Sequence, residues 1–261
     1  MPDALTLHLV QLDSQWEDKA ANFARVRDLI ARAMPAPGGL IILPEMFATG
    51  FSDRLAATLE PLDGPVTAFL RDIASRTRCA VVGGLVTPAP DGRGFNQALA
   101  IAPDGSALAR YSKTHPFALG GEDSVHAPGG PPVIFEWGGL KISPLICYDL
   151  RFPETARSAL ALGAEAVIYI ASWPVRRQDH WITLLQARAI ENQAYVIGVN
   201  RCGNDPRHSH GGRSLIADPH GVVIADAGAQ ERVITARVEP ALVREWRAQF
   251  PAAREYLALQ P

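Results

Sequence analysis

A single cysteine lies where a strand is expected to give way to a helix. Leu140–Ile146 is a mostly apolar run of strand length, and residues 152–162, rich in Ala, Leu and Arg, are typical of a helix. Cys147 opens the turn between them, where the positive end of a helix dipole favours the thiolate that attacks carbon. A lone cysteine is often just a small buried hydrophobe. The polar Tyr148, Asp149 and Arg151 that follow Cys147 favour the nucleophile, because an inert core cysteine has no need of charged neighbours.

Two further residues with suitable chemistry follow strand-like segments elsewhere in the chain. Glu45 comes soon after residues 40–43, a fully apolar run typical of a strand covered on both faces. The carboxyl end of such a strand is where open α/β sheets place their sites, although a lone glutamate is more often a helix cap or surface residue. Lys113 also leaves a predicted strand, and a lysine there is usually a solvated charge.

Cysteine and histidine spacing gives no metal site. The three cysteines, Cys79, Cys147 and Cys202, are odd in number and lack CxxC spacing, which argues against a disulfide framework or a zinc site. They favour a reducing compartment, so we expect a cytoplasmic protein. His208 and His210 have a spacing that hints at a metal, but no Cys, Asp or Glu cluster joins them. We therefore predict no metal ligand.

Composition excludes several classes of partner. A 261-residue chain with 48% hydrophobic and 20% charged residues is globular, and its net charge of -2 argues against nucleic acid. It has no apolar run of eighteen residues, so no membrane span is expected. Strand-like sequence soon after Asp3 argues against a signal peptide. Without a linker, repeat or low-complexity stretch, residues 1–261 are predicted to form one domain.

The elements that must position the candidate residues alternate helix and strand and then include hairpins, which predicts a layered α/β fold. A long Gly- and Pro-rich loop at 116–132 is typical of a loop that covers a site. The predicted strands are 5–12, 40–43, 79–86, 95–102, 107–111, 140–146, 166–171, 194–199, 214–217, 222–225 and 232–238, and the helices are 14–34, 63–78, 152–162, 178–192 and 240–250.

Three separated motifs together resemble the carbon-nitrogen hydrolase (nitrilase) superfamily. They are Leu-Pro-Glu-Met-Phe at 43–47, Tyr-Ser-Lys-Thr-His at 111–115, and Ile-Cys-Tyr-Asp-Leu-Arg-Phe-Pro-Glu at 146–154. Each is weak alone, but their order, Glu then Lys then Cys, matches the catalytic triad of that family. Within the superfamily, Trp181 with residues 184–193, and Gly-Arg-Ser at 212–214 leading into 218–221, resemble the omega-amidase branch.

The resemblance implies a four-layer αββα sandwich that assembles as a homodimer or a higher homo-oligomer, and amide hydrolysis without a metal or organic cofactor. It implies that Cys147 attacks the carbonyl carbon and that Glu45 moves the protons. Lys113, with the backbone N–H of Tyr148, is expected to hold the oxyanion. Glu122, in the long loop, is expected to orient Lys113 and keep it charged.

The implied substrate, besides water, is the omega-amide of a short 2-oxo dicarboxylic acid such as 2-oxoglutaramate. Its free carboxylate suits the planar fork of an arginine. Arg176 and Arg177 follow one predicted strand and Arg201 follows the next, so we predict them at the pocket rim, although each is open to being a solvated surface arginine. Trp173 and Phe117 are candidates for apolar walls, or for core.

Other readings stay open on sequence. Another small amide, an N-carbamoyl compound or a nitrile is an alternative substrate; the nitrile fits less well because that branch has a different pattern around the cysteine. A catalytically silent binding or scaffold relative belongs to another class, and the intact Glu45, Lys113 and Cys147 argue against it. A redox-sensing cysteine needs a resolving partner, and neither Cys79 nor Cys202 has suitable spacing.

Overall fold

The computed structural model of the chain describes residues 4–258, so residues 1–3, including Asp3, and 259–261 of the predicted domain lie outside the described part. Within 4–258, no helix is long and apolar enough to cross a membrane. The strands are β1 Leu5–Gln11, β2 Leu40–Ile42, β3 Ala80–Pro88, β4 Gly94–Ile101, β5 Ala107–Ser112, β6 Phe135–Trp137, β7 Leu140–Ile146, β8 Ala166–Ala171, β9 Tyr195–Asn200, β10 Cys202–Asn204, β11 Ser209–Gly211, β12 Leu215–Ala217, β13 Val223–Asp226 and β14 Arg232–Val238.

Helices flank these strands on the outside. They are α1 Lys19–Ala33, α2 Leu55–Thr58, α3 Pro65–Thr77, α4 Glu122–Val125, α5 Pro153–Ala161, α6 Gln178–Asn192, α7 Pro240–Gln249 and α8 Ala252–Ala258. Short 3₁₀ turns occupy Ala118–Gly120, Cys147–Arg151 and Val175–Arg177.

Two six-stranded mixed sheets form the centre of the fold. The first has the order β14-β1-β2-β3-β4-β5, with β1, β2 and β3 parallel and the other pairs antiparallel. Since β3, β4 and β5 form a meander, β5 runs in the same direction as β2. The second has the order β13-β12-β9-β8-β7-β6, with β7, β8 and β9 parallel. The carboxyl ends of β2 and β5 therefore lie at the same end of the first sheet.

Apolar side chains hold the layers together. Inward residues of the first sheet, such as Leu7 and Ile42, pack in one core with the second sheet and with Trp181 and Leu185 of α6. A second core lies between the outer face of the first sheet and helices α1 and α3, where Phe69 is among the buried residues. The result is the predicted four-layer αββα sandwich.

Most predicted elements are confirmed, and Leu140–Ile146, Ala166–Ala171, Gln178–Asn192 and Arg232–Val238 have the predicted bounds. Helix α1 begins at Lys19 and not at Ser14, because the Asp18 carboxylate caps it by accepting from the Ala21 N–H at 2.9 Å. The sequence prediction lacked β6, the β10–β11 hairpin, and the short helices α2, α4 and α8.

Candidate active site

The candidate residues meet where strands of both sheets end. Glu45 follows β2 after two residues, Lys113 directly follows β5, and Cys147 directly follows β7. Ser172, which directly follows β8, brings the second sheet to the same place: its backbone N–H donates to Glu45 Oε2 at 2.9 Å. The site is therefore built across the two sheets.

A buried cluster of charges lies at the carboxyl ends of these strands. Lys113 Nζ is 3.0 Å from Glu45 Oε1 and 2.8 Å from Glu122 Oε2, and all three side chains are at most 1% exposed. Burial opposes a charged lysine, but the carboxylates of Glu122 and Glu45 outweigh it and raise the pKa of Lys113 well above its ordinary value. Lys113 is consequently an ammonium at neutral pH.

Glu122 is held in the ionised form by its neighbours. Burial alone raises a carboxyl pKa, but Lys113, His126 and Asn96 lower the pKa of Glu122 to about 2. The backbone N–H of Phe117 also donates to Glu122 Oε2 at 2.6 Å. Glu122 thus lies beside Lys113, where the resemblance placed it.

Asn96 is a site residue that sequence reasoning missed. Its Nδ2 lies 2.8 Å from Glu45 Oε1 and 3.0 Å from Glu122 Oε1, so one amide links the two carboxylates. The Lys113 N–H donates to the Asn96 carbonyl at 2.8 Å, which continues the β4–β5 ladder and fixes the two residues side by side. The one available signal was a polar pair, Asn96-Gln97, inside an otherwise apolar strand.

His126 is a second residue that the sequence did not single out. It is 1% exposed, its Nδ1 lies 3.5 Å from Glu122 Oε1, and neither ring nitrogen has a hydrogen-bond partner among residues 4–258. It follows that Glu122 has a histidine against it on one side and Lys113 on the other.

The turn at Cys147 has unusual backbone geometry and surroundings that favour the protonated thiol. Cys147 has φ +45°, a left-handed conformation that costs a non-glycine residue about 1–2 kcal/mol. Burial first, and then the Glu45 carboxylate, raise the pKa of the Cys147 thiol well above its ordinary value; Lys113 and the Ser172 N–H lower it less. These effects act against the helix dipole, which in the sequence argument favours the thiolate. Cys147 is the first residue of the short 3₁₀ turn Cys147–Arg151, and helix α5 begins only at Pro153.

A buried carboxylate joins the cysteine turn to the lysine strand. Asp149 is fully buried and accepts from the Tyr111 hydroxyl at 2.8 Å and the Ile146 N–H at 3.1 Å. It also accepts from the His115 N–H at 3.0 Å, and His115 Nδ1 lies at the same distance. Because Tyr111 and His115 bracket Lys113, Asp149 fixes Cys147 and Lys113 relative to each other.

A cavity of about 50 Å³ opens beside this cluster. Phe117 and Arg177, both predicted for substrate binding, line it together, and the Arg177 guanidinium lies over the Phe117 ring at 5.3 Å. The ring of Tyr148, directly after Cys147, packs against Phe117 with centroids 4.9 Å apart. The lining residues are Phe51, Phe117, Gly120, Ser172, Pro174, Arg177, Asp205, Arg207, His208 and His210.

Three residues predicted at the pocket lie elsewhere. Arg176 is exposed and does not line the cavity. Trp173 is 3% exposed in the core, with its ring 5.6 Å from that of Trp181. Arg201 is fully buried, with its guanidinium donating to the backbone carbonyls of residues 14, 202 and 204. The rim position expected for Arg201 is wrong, because the β10–β11 hairpin folds over it.

His208 and His210 have the sequence spacing that hints at a metal site. His210 Nε2 lies 2.8 Å from Asp205 Oδ2, and the ring centroids of His208 and His210 are 6.4 Å apart. Within residues 4–258, no group of three or more His, Cys, Asp or Glu side chains is arranged to hold a metal ion.

Comparison with known proteins shows the family of the chain. Residues 6–248 match the family model described as carbon-nitrogen hydrolase. The chain belongs to the carbon-nitrogen hydrolase family. The predicted family and the predicted enzyme class, a hydrolase of carbon–nitrogen bonds other than peptide bonds, are thereby confirmed.

Named relatives of this carbon-nitrogen hydrolase are similar over nearly their whole length. It is 38% identical to omega-amidase YafV of Yersinia enterocolitica, with 95% of each chain covered. It is 33% identical to 2-oxoglutaramate amidase of Bacillus subtilis, with 94% of this chain and 95% of the relative covered. The crystal structure of XC1258 from Xanthomonas campestris, a CN-hydrolase superfamily protein with an arsenic adduct in its active site, superposes with a TM-score of 0.91 at 35% identity, covering 97% of both chains.

Proposed function

We propose that this carbon-nitrogen hydrolase cleaves the omega-amide of a short 2-oxo dicarboxylic acid, such as 2-oxoglutaramate, to the carboxylate and ammonia. The observation that carries the proposal is the buried Lys113 between Glu45 and Glu122, beside the Cys147 turn. A buried ion cluster costs several kcal/mol of desolvation per ion. A catalytically silent binding relative gains nothing from this cost, whereas amide hydrolysis needs a fixed positive charge.

The first half of the reaction forms a thioester. Glu45 takes the proton from the Cys147 thiol as the sulfur bonds to the amide carbon. Lys113 and the backbone N–H of Tyr148 stabilise the oxyanion that develops on the amide oxygen. Glu45 then gives the same proton to the amide nitrogen, the carbon–nitrogen bond breaks, and ammonia leaves.

The second half returns the enzyme to its starting state. Glu45 removes a proton from water, whose oxygen attacks the thioester carbon. The carbon–sulfur bond breaks, the thiolate regains a proton from Glu45, and the product carboxylic acid loses its proton to solvent. Glu122 stays ionised throughout and acts only through Lys113, which makes it a positioning residue.

Recognition of the distal carboxylate falls to Arg177. It is the one residue of the three predicted arginines that lines the cavity, and its guanidinium is already ordered over Phe117. Burial, and then Arg176 and Arg151, lower the pKa of Arg177, so a bound carboxylate relieves a local excess of positive charge. Phe117 supplies apolar surface for the methylene chain.

A panel of small substrates tests the function. Ammonia release is measured with 2-oxoglutaramate, with other small amides, with N-carbamoyl compounds and with nitriles. We expect 2-oxoglutaramate to have the highest kcat/KM. If no amide releases ammonia, or if nitriles or carbamoyl compounds are clearly preferred, the proposal is wrong. The first result then favours a catalytically silent relative and the second a nitrile or N-carbamoyl hydrolase.

The nucleophile is tested separately. Cys147→Ala removes little volume and is expected to abolish turnover while leaving the circular dichroism spectrum unchanged. Mass spectrometry of the wild-type protein with a slow substrate should show an acyl adduct on the peptide that contains Cys147. Turnover by the alanine variant contradicts the mechanism.

The remaining features of the proposal are organisational. We propose that residues 1–261 act as one domain and that two copies form a homodimer in the cytoplasm. Light scattering coupled to size-exclusion chromatography measures the mass of the assembly directly. A mass near 28 kDa, the mass of one chain, contradicts the homodimer.

A further inference from the structure

Phe51 is a residue of the cavity wall that the chemistry at the amide does not use. It lines the cavity, and Lys113 Nζ lies 5.3 Å from the centroid of its ring. Phe51 also follows closely on the Glu45 turn, where the Gly50 N–H donates to the Met46 carbonyl at 2.9 Å. The ring therefore lies beside the ammonium that holds the oxyanion in the proposed reaction.

The position of this ring limits the part of the substrate next to the amide. Lys113 has three N–H groups, of which one donates to Glu45 and one to Glu122. The third can reach the substrate oxygen at a hydrogen-bond distance of about 2.7–3.2 Å. The carbon next to the amide carbon is two bonds from that oxygen. A substrate chain that leaves the amide through the cavity therefore passes the Phe51 ring at this carbon.

The cavity gives such a chain little lateral room. Its volume is about 50 Å³, whereas ligand pockets usually measure about 300–1,000 Å³. Phe51 and Phe117 both line it with aromatic rings, which are rigid compared with long aliphatic side chains. A straight chain suits this space better than a branched one.

An ion pair between two loops holds Phe51 in place. Arg207, in the loop between β10 and β11, donates to both carboxylate oxygens of Asp53, each at 3.1 Å. Its Nη2 also lies 3.5 Å from the Phe51 carbonyl oxygen, and its guanidinium lies 5.8 Å from the centroid of the Trp16 ring. Exposed ion pairs usually contribute little, but the bidentate geometry seen here is the effective one. Since Arg207 and Phe51 both line the cavity, this pair links two of its walls.

We propose that Phe51 restricts the enzyme to amides that are unbranched at the carbon next to the amide, with Arg207 as the positioning residue that holds Phe51. This rests on the proposed function and adds the shape of the carbon chain to it. A methyl group on that carbon meets the ring and displaces the amide carbon from Cys147. Misplacement of reacting atoms lowers the rate of attack.

Two substrates test the role of Phe51. Ammonia release is measured with 2-oxoglutaramate and with a branched analogue that carries one methyl group on the carbon next to the amide. We expect wild type to prefer the unbranched amide by about tenfold or more in kcat/KM, the usual effect of one carbon in an apolar pocket. Phe51→Ala removes the ring and should lower this preference to about twofold. Equal kcat/KM values in wild type, or an unchanged preference in Phe51→Ala, overturn the proposal.

A second variant covers the case in which Phe51→Ala does not fold. Phe51→Leu keeps part of the apolar bulk, so its preference for the unbranched amide should lie between those of wild type and Phe51→Ala. A wild-type preference in a folded Phe51→Leu protein overturns the role of the ring.

The positioning role of Arg207 has a matched control. Arg207→Ala releases the Phe51 segment, so the preference should fall about threefold. Arg27 also pairs with an aspartate, Asp72, at 3.4 Å, and its guanidinium lies 4.9 Å from the centroid of the Phe69 ring, but it belongs to helix α1. Arg27→Ala should leave the preference unchanged. Equal preferences in the two variants overturn the role of Arg207.

Binding separates this proposal from the proposed function. If wild type releases ammonia from no amide, the proposed function is wrong, and calorimetry with the Cys147→Ala protein then tests Phe51 alone. The unbranched amide should bind about tenfold or more tightly than the branched one, and equal dissociation constants overturn the selection. If wild type hydrolyses both amides with equal kcat/KM, the amidase function stands and only the selection by Phe51 is wrong.

Discussion

Cys147 is asked to act as a nucleophile although its surroundings favour the thiol. Burial and the Glu45 carboxylate both raise the pKa of Cys147, while Lys113 lowers it. The same Glu45 that opposes a resting thiolate is in place to accept the proton during attack. The surroundings thus favour the protonated sulfur, which is less nucleophilic than the thiolate.

This arrangement predicts opposite effects on ionisation and on turnover for one substitution. Glu45→Gln removes a negative charge beside the sulfur, so the pKa of Cys147 should fall and more thiolate should form at a given pH. Turnover should nevertheless drop by about 10²-fold or more, because the proton shuttle is lost. Thiolate absorbance near 240 nm, titrated against pH, measures the first effect and ammonia release the second.

Lys113→Met should shift the titration of Cys147 in the opposite direction. Loss of the ammonium should raise the pKa of Cys147 further, so its titration curve should move to higher pH. A Glu45→Gln curve that coincides with wild type, or moves in the Lys113→Met direction, contradicts the electrostatic account.

Arg177 and Arg176 are adjacent in sequence and differ in environment, which gives a controlled test of carboxylate recognition. Arg177→Ala should raise KM for 2-oxoglutaramate about tenfold or more, since a charged hydrogen bond is worth roughly 1.5–3 kcal/mol. KM for pentanamide, an uncharged amide of the same length, should barely change. Arg176→Ala, at an exposed position outside the cavity, should leave both values near wild type. Equal effects of Arg177→Ala on the two amides rule out this role.

At the scale of elements, strand β3 determines how closely the Glu45 turn can approach. A Cβ on Gly84 would lie 2.4 Å from the Met46 backbone nitrogen and 2.8 Å from Glu45 Cα. Met46 itself has φ +44°, so this turn has little freedom to move away. Only glycine at position 84 allows the observed position of Glu45.

The two neighbouring glycines of β3 therefore give a further prediction. Gly84→Ala should displace Glu45 and lower kcat by about 10²-fold, the effect of roughly 1 Å of misplacement. Gly83→Ala is the control, because its new Cβ would meet the ends of the Leu70 and Phe47 side chains, which can shift. It should lower kcat only a few fold. Similar kcat values in the two variants would show that β3 does not set the position of Glu45.

The sequence alone was enough to predict the helices and strands that have a local pattern of apolar residues. Gln178–Asn192 was found because its apolar residues repeat at helical spacing, and Leu140–Ile146 because a short apolar run precedes polar residues. Glu45, Lys113 and Glu122 were found through a resemblance to a family. Their convergence depends on the β3–β4–β5 meander and on the layering of two sheets, which no local pattern contains.

Three outcomes lay beyond the sequence for identifiable reasons. Arg177 and Arg201 both follow strands, and only the folded β10–β11 hairpin decides that one lines a cavity and the other is buried against carbonyls. Asn96 resembles any polar residue on a half-buried strand. The effects that raise the pKa of Cys147, desolvation and the Glu45 carboxylate, are properties of the tertiary structure.

At the scale of the whole molecule, the C-terminal segment connects the two sheets. Strand β14 pairs with β1 over seven residues at the edge of the first sheet, although more than 200 residues separate them. Helix α7 then packs against the second sheet, where Arg244 lies 2.7 Å from Glu165 and Val243 is fully buried. The Arg244–Glu165 contact lies at the amino end of β8, whereas Ser172 follows the carboxyl end, so helix α7 is expected to affect stability and not turnover.

Arg247 in α7 tests that division between stability and catalysis. Its Nε donates to the Gln193 carbonyl at 3.0 Å, and its Nη2 donates to the carbonyls of Ala164 at 2.7 Å and Asn192 at 3.1 Å. Residues 192 and 193 end helix α6, where carbonyls lack partners within the helix.

Arg247→Ala leaves these three carbonyls without their donor, so it should lower the free energy of unfolding by about 2–4 kcal/mol. The corresponding fall in Tm is roughly 5–10 °C, measured by differential scanning calorimetry, with kcat/KM at 25 °C within about twofold of wild type. Arg237→Ala, at an exposed position on β14, is the matched control and should change stability by less than about 0.5 kcal/mol. A large loss of kcat/KM in the folded Arg247→Ala protein would mean that the C-terminal segment also positions the catalytic residues. In that case the two functions of the fold are not separable.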